Sequence, residues 1–170
     1  MTLLHMSVGA LLALACISDI RTRRIPNALT FPAAVAGVIF HAANGGLPAA
    51  GWSLLGWLAG AALFFPIFAL RGMGAGDVKL LAAVGAWLGP GQVVIAALLT
   101  SIAGGVMGLA VALGAGYLWT AILNLRLLLT HWRVAGVQPL PDMTLEGTRG
   151  PRLAYALPIA VGTTVTLWLR

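Results

Sequence analysis

The chain has 170 residues, 60% of them hydrophobic and only 8% charged, with a formal charge of +6 from 10 Lys+Arg against 4 Asp+Glu. A soluble domain carries about a quarter charged residues, so these figures exclude an ordinary soluble enzyme and a disordered chain. They leave an integral membrane protein built as one domain over residues 1–170, its 22 glycines and 9 prolines suited to closely packed spanning helices.

A crossing needs about 20 apolar residues. The first stretch, Leu3–Asp19, lacks a basic leader and a small-residue cleavage site and is read as a retained span. Asn27–Ala42 and Gly51–Leu70 follow, separated by a polar Gly/Pro turn. Residues 80–125 then carry no acidic or basic side chain, too many for one crossing, and Gly89-Pro90-Gly91 is the place to fold back. A short fourth span, Asp77–Leu88, and a long fifth, Gln92–Leu129, result, with Leu153–Leu169 as the sixth. The fold class expected is all-α, a polytopic membrane protein with six transmembrane helices.

The positive charges orient it. Arg21, Arg23, Arg24, Arg71, Lys79, Arg126, Arg133, Arg149 and Arg152 fall on one side of this topology and only Arg170 on the other. The positive-inside rule places the first, third and fifth loops in the cytoplasm and both termini outside, in the periplasm. The same charges contact anionic lipids at the cytoplasmic face. No basic patch interleaves with aromatics on a polar face, so nucleic acid is not expected as a partner.

Chemistry has few places to reside. The single cysteine, Cys16, sits in an apolar run and reads as a small hydrophobe. His5, His41 and His131 are scattered without ligand spacing, so no metal site is expected. The six tryptophans (Trp52, Trp57, Trp87, Trp119, Trp132 and Trp168) read mostly as interface anchors. Gly56/Gly60, Gly85/Gly89 and Gly104/Gly108 are small-xxx-small pairs for packing within the bundle. Asp142 and Glu146 read as solvated loop carboxylates.

Asp19 and Asp77 are different, because each stands at a span end on the cytoplasmic side. Twelve residues of helix from Asp77 to the Gly89 turn reach about 18 Å, which leaves Asp77 about 12 Å below that face of a bilayer core. An acid there is paired or functional. Local ion pairs with Arg21 or Lys79 are poor explanations, since residues two apart on a helix face different ways. A proton or cation pathway, as in a small proton-coupled transporter, is one alternative; a membrane scaffold is another. A third reading is an aspartyl dyad: two carboxylates a few Å apart share one proton and activate water between them, with no cofactor or metal. Arg71-Gly72-Met73-Gly74-Ala75-Gly76-Asp77 favours the dyad. Its alternate glycines permit unusual backbone angles and close approach of another backbone, as a protease needs to hold an extended substrate. The run lacks the Gly-Lys-Ser/Thr ending of a phosphate loop.

Gly74-Ala75-Gly76-Asp77-Val78-Lys79-Leu80-Leu81, followed by Gly85-Ala86-Trp87-Leu88-Gly89, resembles the GxGD motif of the type IV prepilin peptidases. Ser18-Asp19-Ile20-Arg21, continuing through Arg24-Ile25-Pro26-Asn27, resembles that family's first aspartate motif. The resemblance implies a GxGD aspartyl endopeptidase of the bacterial inner membrane with Asp19 and Asp77 as the catalytic pair. It implies cleavage of prepilins or pseudopilins at the cytoplasmic face, with removal of a short basic leader that precedes an apolar helix. Gly74, Gly76 and Lys79 become the candidates for substrate contact. Longer members carry a four-cysteine domain that also methylates the new N-terminus. With one cysteine, this chain is similar to the short, peptidase-only branch (TadV/CpaA-like) that serves Flp or Tad pili, and no N-methyltransferase activity is expected.

Overall fold

Leu4, Val8, Leu11, Leu12 and Ala15 recur at the three- and four-residue spacing of one helical face and are buried. Asp19 continues the same stripe, which is why a carboxylate at the end of this helix points inward and is only 7% exposed. The computed structural model describes residues 2–136 and 153–169. Among them are six helices and no strand: α1 (Thr2–Thr22), α2 (Asn27–Ala69), α3 (Ala75–Leu88), α4 (Pro90–Gly114), α5 (Leu118–Ala135) and α6 (Ala156–Trp168). Asp142 and Glu146 lie outside the described residues.

The helix α2 is two arms. Gly45 (φ −145°, ψ 15°) and Gly46 (φ 67°, ψ −160°) break it where the sequence predicts a turn, and Pro48 stands in the first turn of the second arm, where a missing N–H is harmless. Side-chain pairs fix the directions. Asn27 lies beside Lys79 and His41 beside Trp87, so the first arm runs parallel to α3. Ser53 bonds Ala86 and Gly60 meets Leu81, so the second arm runs antiparallel to it.

Every residue of α3 from Leu80 to Leu88 is buried. A helix apolar on all sides belongs at the centre of a bundle, and both arms of α2 close on it. Glycine makes the approach possible: Gly56 and Gly85 meet backbone to backbone, with no room for a β-carbon on either. The Gly56/Gly60 and Gly85/Gly89 pairs thus pack within the bundle as expected, whereas Gly108 has open space beside it. Gly89 (φ 80°) turns α3 into α4 with Pro90 as the first helical residue.

Two expectations need correction. Trp87 is no interface anchor: it is 5% exposed, its Nε1 donates to the Ala33 carbonyl at 2.8 Å, and its ring lies 5.4 Å from that of Phe40. Replacing it by phenylalanine removes the donor and leaves a gap, and should lower stability by about 1–2 kcal/mol; thermal unfolding of the purified protein in detergent measures it. The long fifth span, Gln92–Leu129, is divided. After Gly114 the amides of Gly116 and Tyr117 turn back to the carbonyls of Leu113 and Ala112, with Gly116 at φ 71°. That is a glycine-based helix stop, and α5 starts afresh at Leu118.

Among the described residues three helices are long and apolar enough to cross a membrane (Leu3–Thr22, Asn27–Ala69 and Pro90–Gly114), the second of them in two arms; α6 is apolar but shorter. The described residues thus form the all-helical body of a membrane protein. Gly162 of α6 seats against Thr100 of α4, and Gly104 against Tyr155, so these two helices run antiparallel.

Candidate active site

The directions above bring five chain segments to one end of the bundle: the end of α1, the start of α2, the end of its second arm, the start of α3 and the start of α6. The α1–α2 connection is tied down by its own side chains. Ser18 Oγ donates to the Arg24 carbonyl at 2.8 Å, and Thr22 Oγ1 to the Ser18 carbonyl at 2.9 Å. The Asp19 carbonyl accepts the Arg23 amide at 2.9 Å, with Arg23 in the left-handed region (φ 54°). Arg71 closes α2 in the same way at φ 58°, its amide bonded to Phe68 and that of Gly72 to Ile67. Arginine here takes the conformation glycine usually supplies.

From Arg71 the chain passes through buried Met73 to Gly74, which caps α3 in an extended conformation (φ −75°, ψ 146°). The Asp77 amide donates to the Gly74 carbonyl at 3.2 Å. None of Gly72, Gly74 and Gly76 has a positive φ. What the glycines supply is space. A β-carbon on Gly74 would lie 3.1 Å from Asp77 Oδ2, and one on Gly76 would lie 3.0 Å from the Ile25 β-carbon. The close approach foreseen at this run is made, at Gly76, by the chain's own Ile25, which follows the Asp19 turn directly.

Asp19 and Asp77, from α1 and α3, lie close enough to interact electrostatically. Asp77 is half-buried, and the phenol of Tyr155 is also within its electrostatic reach. Asp19 Oδ2 accepts the backbone amide of Ala156 at 3.1 Å across 137 residues of sequence. Cys16, one turn earlier on α1, donates its thiol to the Ala156 carbonyl at 3.5 Å. Tyr155 packs edge-on against Phe64, ring centroids 6.2 Å apart. The first turn of α6 is therefore part of this centre. Sequence reasoning missed it, because the group it offers Asp19 is a main-chain N–H that leaves no side-chain signature.

Lys79 is placed apart from the pair. Its ammonium donates to Asn27 Oδ1 at 2.9 Å and lies 5.9 Å from the Phe31 ring centroid. Two residues beyond Asp77 on the helix, it faces the other way, onto a cavity of about 190 Å³ lined by Thr30, Phe31, Trp57, Ala61, Val78, Lys79 and Ala82. His41 bonds the Trp87 carbonyl at 3.0 Å near the opposite end of α3.

Two acids from separate helices, one held by a backbone amide and the two within electrostatic reach of each other, can share a proton and handle water. Over 102 residues the chain is 36% identical to a protein of Aeromonas salmonicida (strain A449) named prepilin leader peptidase/N-methyltransferase, an alignment covering 56% of this chain and 35% of the relative. Proteins of the same name from Dickeya chrysanthemi and Neisseria gonorrhoeae are 38% and 35% identical over 100 and 94 residues, covering 53% and 51% of this chain and 35% and 32% of theirs. The match thus spans about a third of each relative's length. No solved structure matches the chain. The sequence profile of the type IV leader peptidases matches residues 6–109, a stretch that contains both aspartates and the whole of α2 and α3, and on that match the chain belongs to the type IV leader peptidase family.

Proposed function

We propose that the protein is an aspartyl endopeptidase of the bacterial inner membrane that removes the basic leader from prepilins at the cytoplasmic face. The observation that carries this is that Asp19 and Asp77 come to one end of the bundle within electrostatic reach of each other. The relatives' names supply the substrate class. Arg21, Arg23, Arg24, Arg71 and Lys79 cluster at the same end as the two acids, which supports a cytoplasmic site, six crossings and periplasmic termini. They also give that end its contacts with anionic lipids.

In the reaction, the ionised carboxylate takes a proton from water as the water oxygen attacks the scissile carbonyl. The protonated partner gives its proton to the carbonyl oxygen, forming a tetrahedral diol. One carboxyl then protonates the amine nitrogen as the C–N bond breaks, and the carbonyl re-forms with return of a proton to the other. Gly74 keeps the space beside the Asp77 carboxyl clear for an extended substrate, whereas the space expected for substrate at Gly76 is taken by Ile25. Lys79, which lines a cavity apart from the two acids, stays a candidate for substrate contact.

We further propose that the protein acts as a peptidase alone, in the service of Flp or Tad pili. Purified protein incubated with a tagged prepilin should release the leader, seen as a size shift. With S-adenosylmethionine present, mass spectrometry should find the new N-terminus unmethylated. An uncut prepilin would refute the peptidase, and a methylated product the proposal that it acts as a peptidase alone. Asp142→Asn and Glu146→Gln should each leave cleavage within about threefold of wild type, in keeping with the sequence reading of both as carboxylates outside the chemistry.

A further inference from the structure

The two carboxylates come from helices that touch sparingly, so something must set their relative position. We propose that the first turn of α6 does so, with Tyr155 as the positioning residue and Gly104 of α4 as the seat that holds it. This rests on the reading of Asp19 and Asp77 as the catalytic pair.

Three contacts make the device. The Ala156 amide holds Asp19 Oδ2 at 3.1 Å. Cys16 grips the carbonyl of the same residue, so Ala156 is tied to α1 through both its backbone groups. The phenol of Tyr155, adjacent in sequence, stands between the Phe64 ring and Gly104 and reaches Asp77 electrostatically. One dipeptide thus addresses both acids.

The register of α6 is fixed at two points on α4. Gly162 packs onto the Thr100 backbone, and two turns away the Tyr155 ring lies against Gly104. A β-carbon on Gly104 would stand 2.7 Å from the phenol oxygen and 3.0 Å from the ring carbon bearing it. One methyl group there must push the ring aside by several tenths of an ångström or more. The Ala156–Asp19 bond has about that much slack before it fails, and displacements near 1 Å in a catalytic array lower rates by up to about a hundredfold.

Gly108 is the internal control: it lies one turn along the same helix, and a β-carbon on it meets nothing within 4 Å. Gly104→Ala and Gly108→Ala should be purified in detergent and assayed on a tagged prepilin. Gly108→Ala should match wild type. Gly104→Ala should lose about tenfold or more in kcat, while its KM and thermal midpoint stay with those of Gly108→Ala. Adding Tyr155→Phe to Gly104→Ala removes the nearest clashing atom and should restore part of the lost kcat. Equal kcat in the two alanine variants overturns the proposal, as does a loss confined to KM or one that Tyr155→Phe does not relieve. If Gly104→Ala fails to fold, Phe64→Leu loosens the ring from its other side: reduced kcat at unchanged KM supports the device and unchanged kcat overturns it. Asp19→Asn in the same assay keeps the two ideas apart. If that variant cleaves normally, the catalytic pair itself is wrong; if it is dead while Gly104→Ala is normal, only the α6 device is.

Discussion

Asp19→Asn and Asp77→Asn should each abolish prepilin cleavage, with kcat falling by about 10³-fold or more while the protein still folds and inserts. An amide is close in size to a carboxyl but can neither accept the proton of the attacking water nor pass one to the leaving amine. General acid–base groups typically contribute 10²–10⁴-fold, and both steps here draw on the same two residues. The two losses should not add: once one carboxyl is gone the shared proton has no partner, so the double variant should resemble either single one. Cleavage of a co-expressed prepilin gives the qualitative result, and initial rates with purified protein give the magnitude. Asp19→Asn also keeps an oxygen to accept the Ala156 amide at 3.1 Å. Loss of activity in a folded variant therefore reports chemistry and not a collapsed α6.

A comparable effect, on stability this time, is expected at the crossing of α2 and α3. Gly56→Ala or Gly85→Ala places a methyl group against main-chain atoms of the facing helix, Gly85 in the first case and Gly56 in the second. Backbone cannot swing away as a side-chain tip can, so the helices must separate. Overpacking of this kind destabilises by about 1–3 kcal/mol, and the upper end is expected where every neighbour on α3 is already buried. Cleavage should fall as well, because α3 carries Asp77 on its first turn. Gly51→Ala, with nothing within 4 Å of the added carbon, is the matched control and should unfold at the wild-type temperature. Thermal unfolding in detergent reads both.

Much of this arrangement was legible in the residues. Charges and Gly/Pro turns mark where helices end, so the two arms of α2 and the α3–α4 turn at Gly89 fall where the sequence puts them. The acids at Asp19 and Asp77 were readable because an ionisable group at a span end demands a reason. The small-xxx-small spacing of Gly56, Gly60 and Gly85 announced close helix contact, although spacing alone does not say which helix is met. The break after Gly114 was hidden inside a stretch with no charge and no proline; Gly116 was the only sign, in a sequence where glycine is common. Trp87 deceived for a related reason. Its place beside a turn matched an interface anchor, while its burial follows from α3 running through the centre of the bundle. The grip of Ala156 on Asp19 is a backbone hydrogen bond, and alanine carries no trace of it.

The central claim is that one water is worked by both acids at once. A peptide spanning the prepilin cleavage site, with the scissile amide replaced by a hydroxyethylene group, mimics the tetrahedral diol that such a pair stabilises. Its dissociation constant should be measured by calorimetry against wild type, Asp19→Asn and Asp77→Asn. Tight binding to wild type that weakens by about a hundredfold in each variant is the predicted result. Wild-type affinity in either variant would mean that its carboxyl does not touch the reacting centre, and the shared-water mechanism would be contradicted.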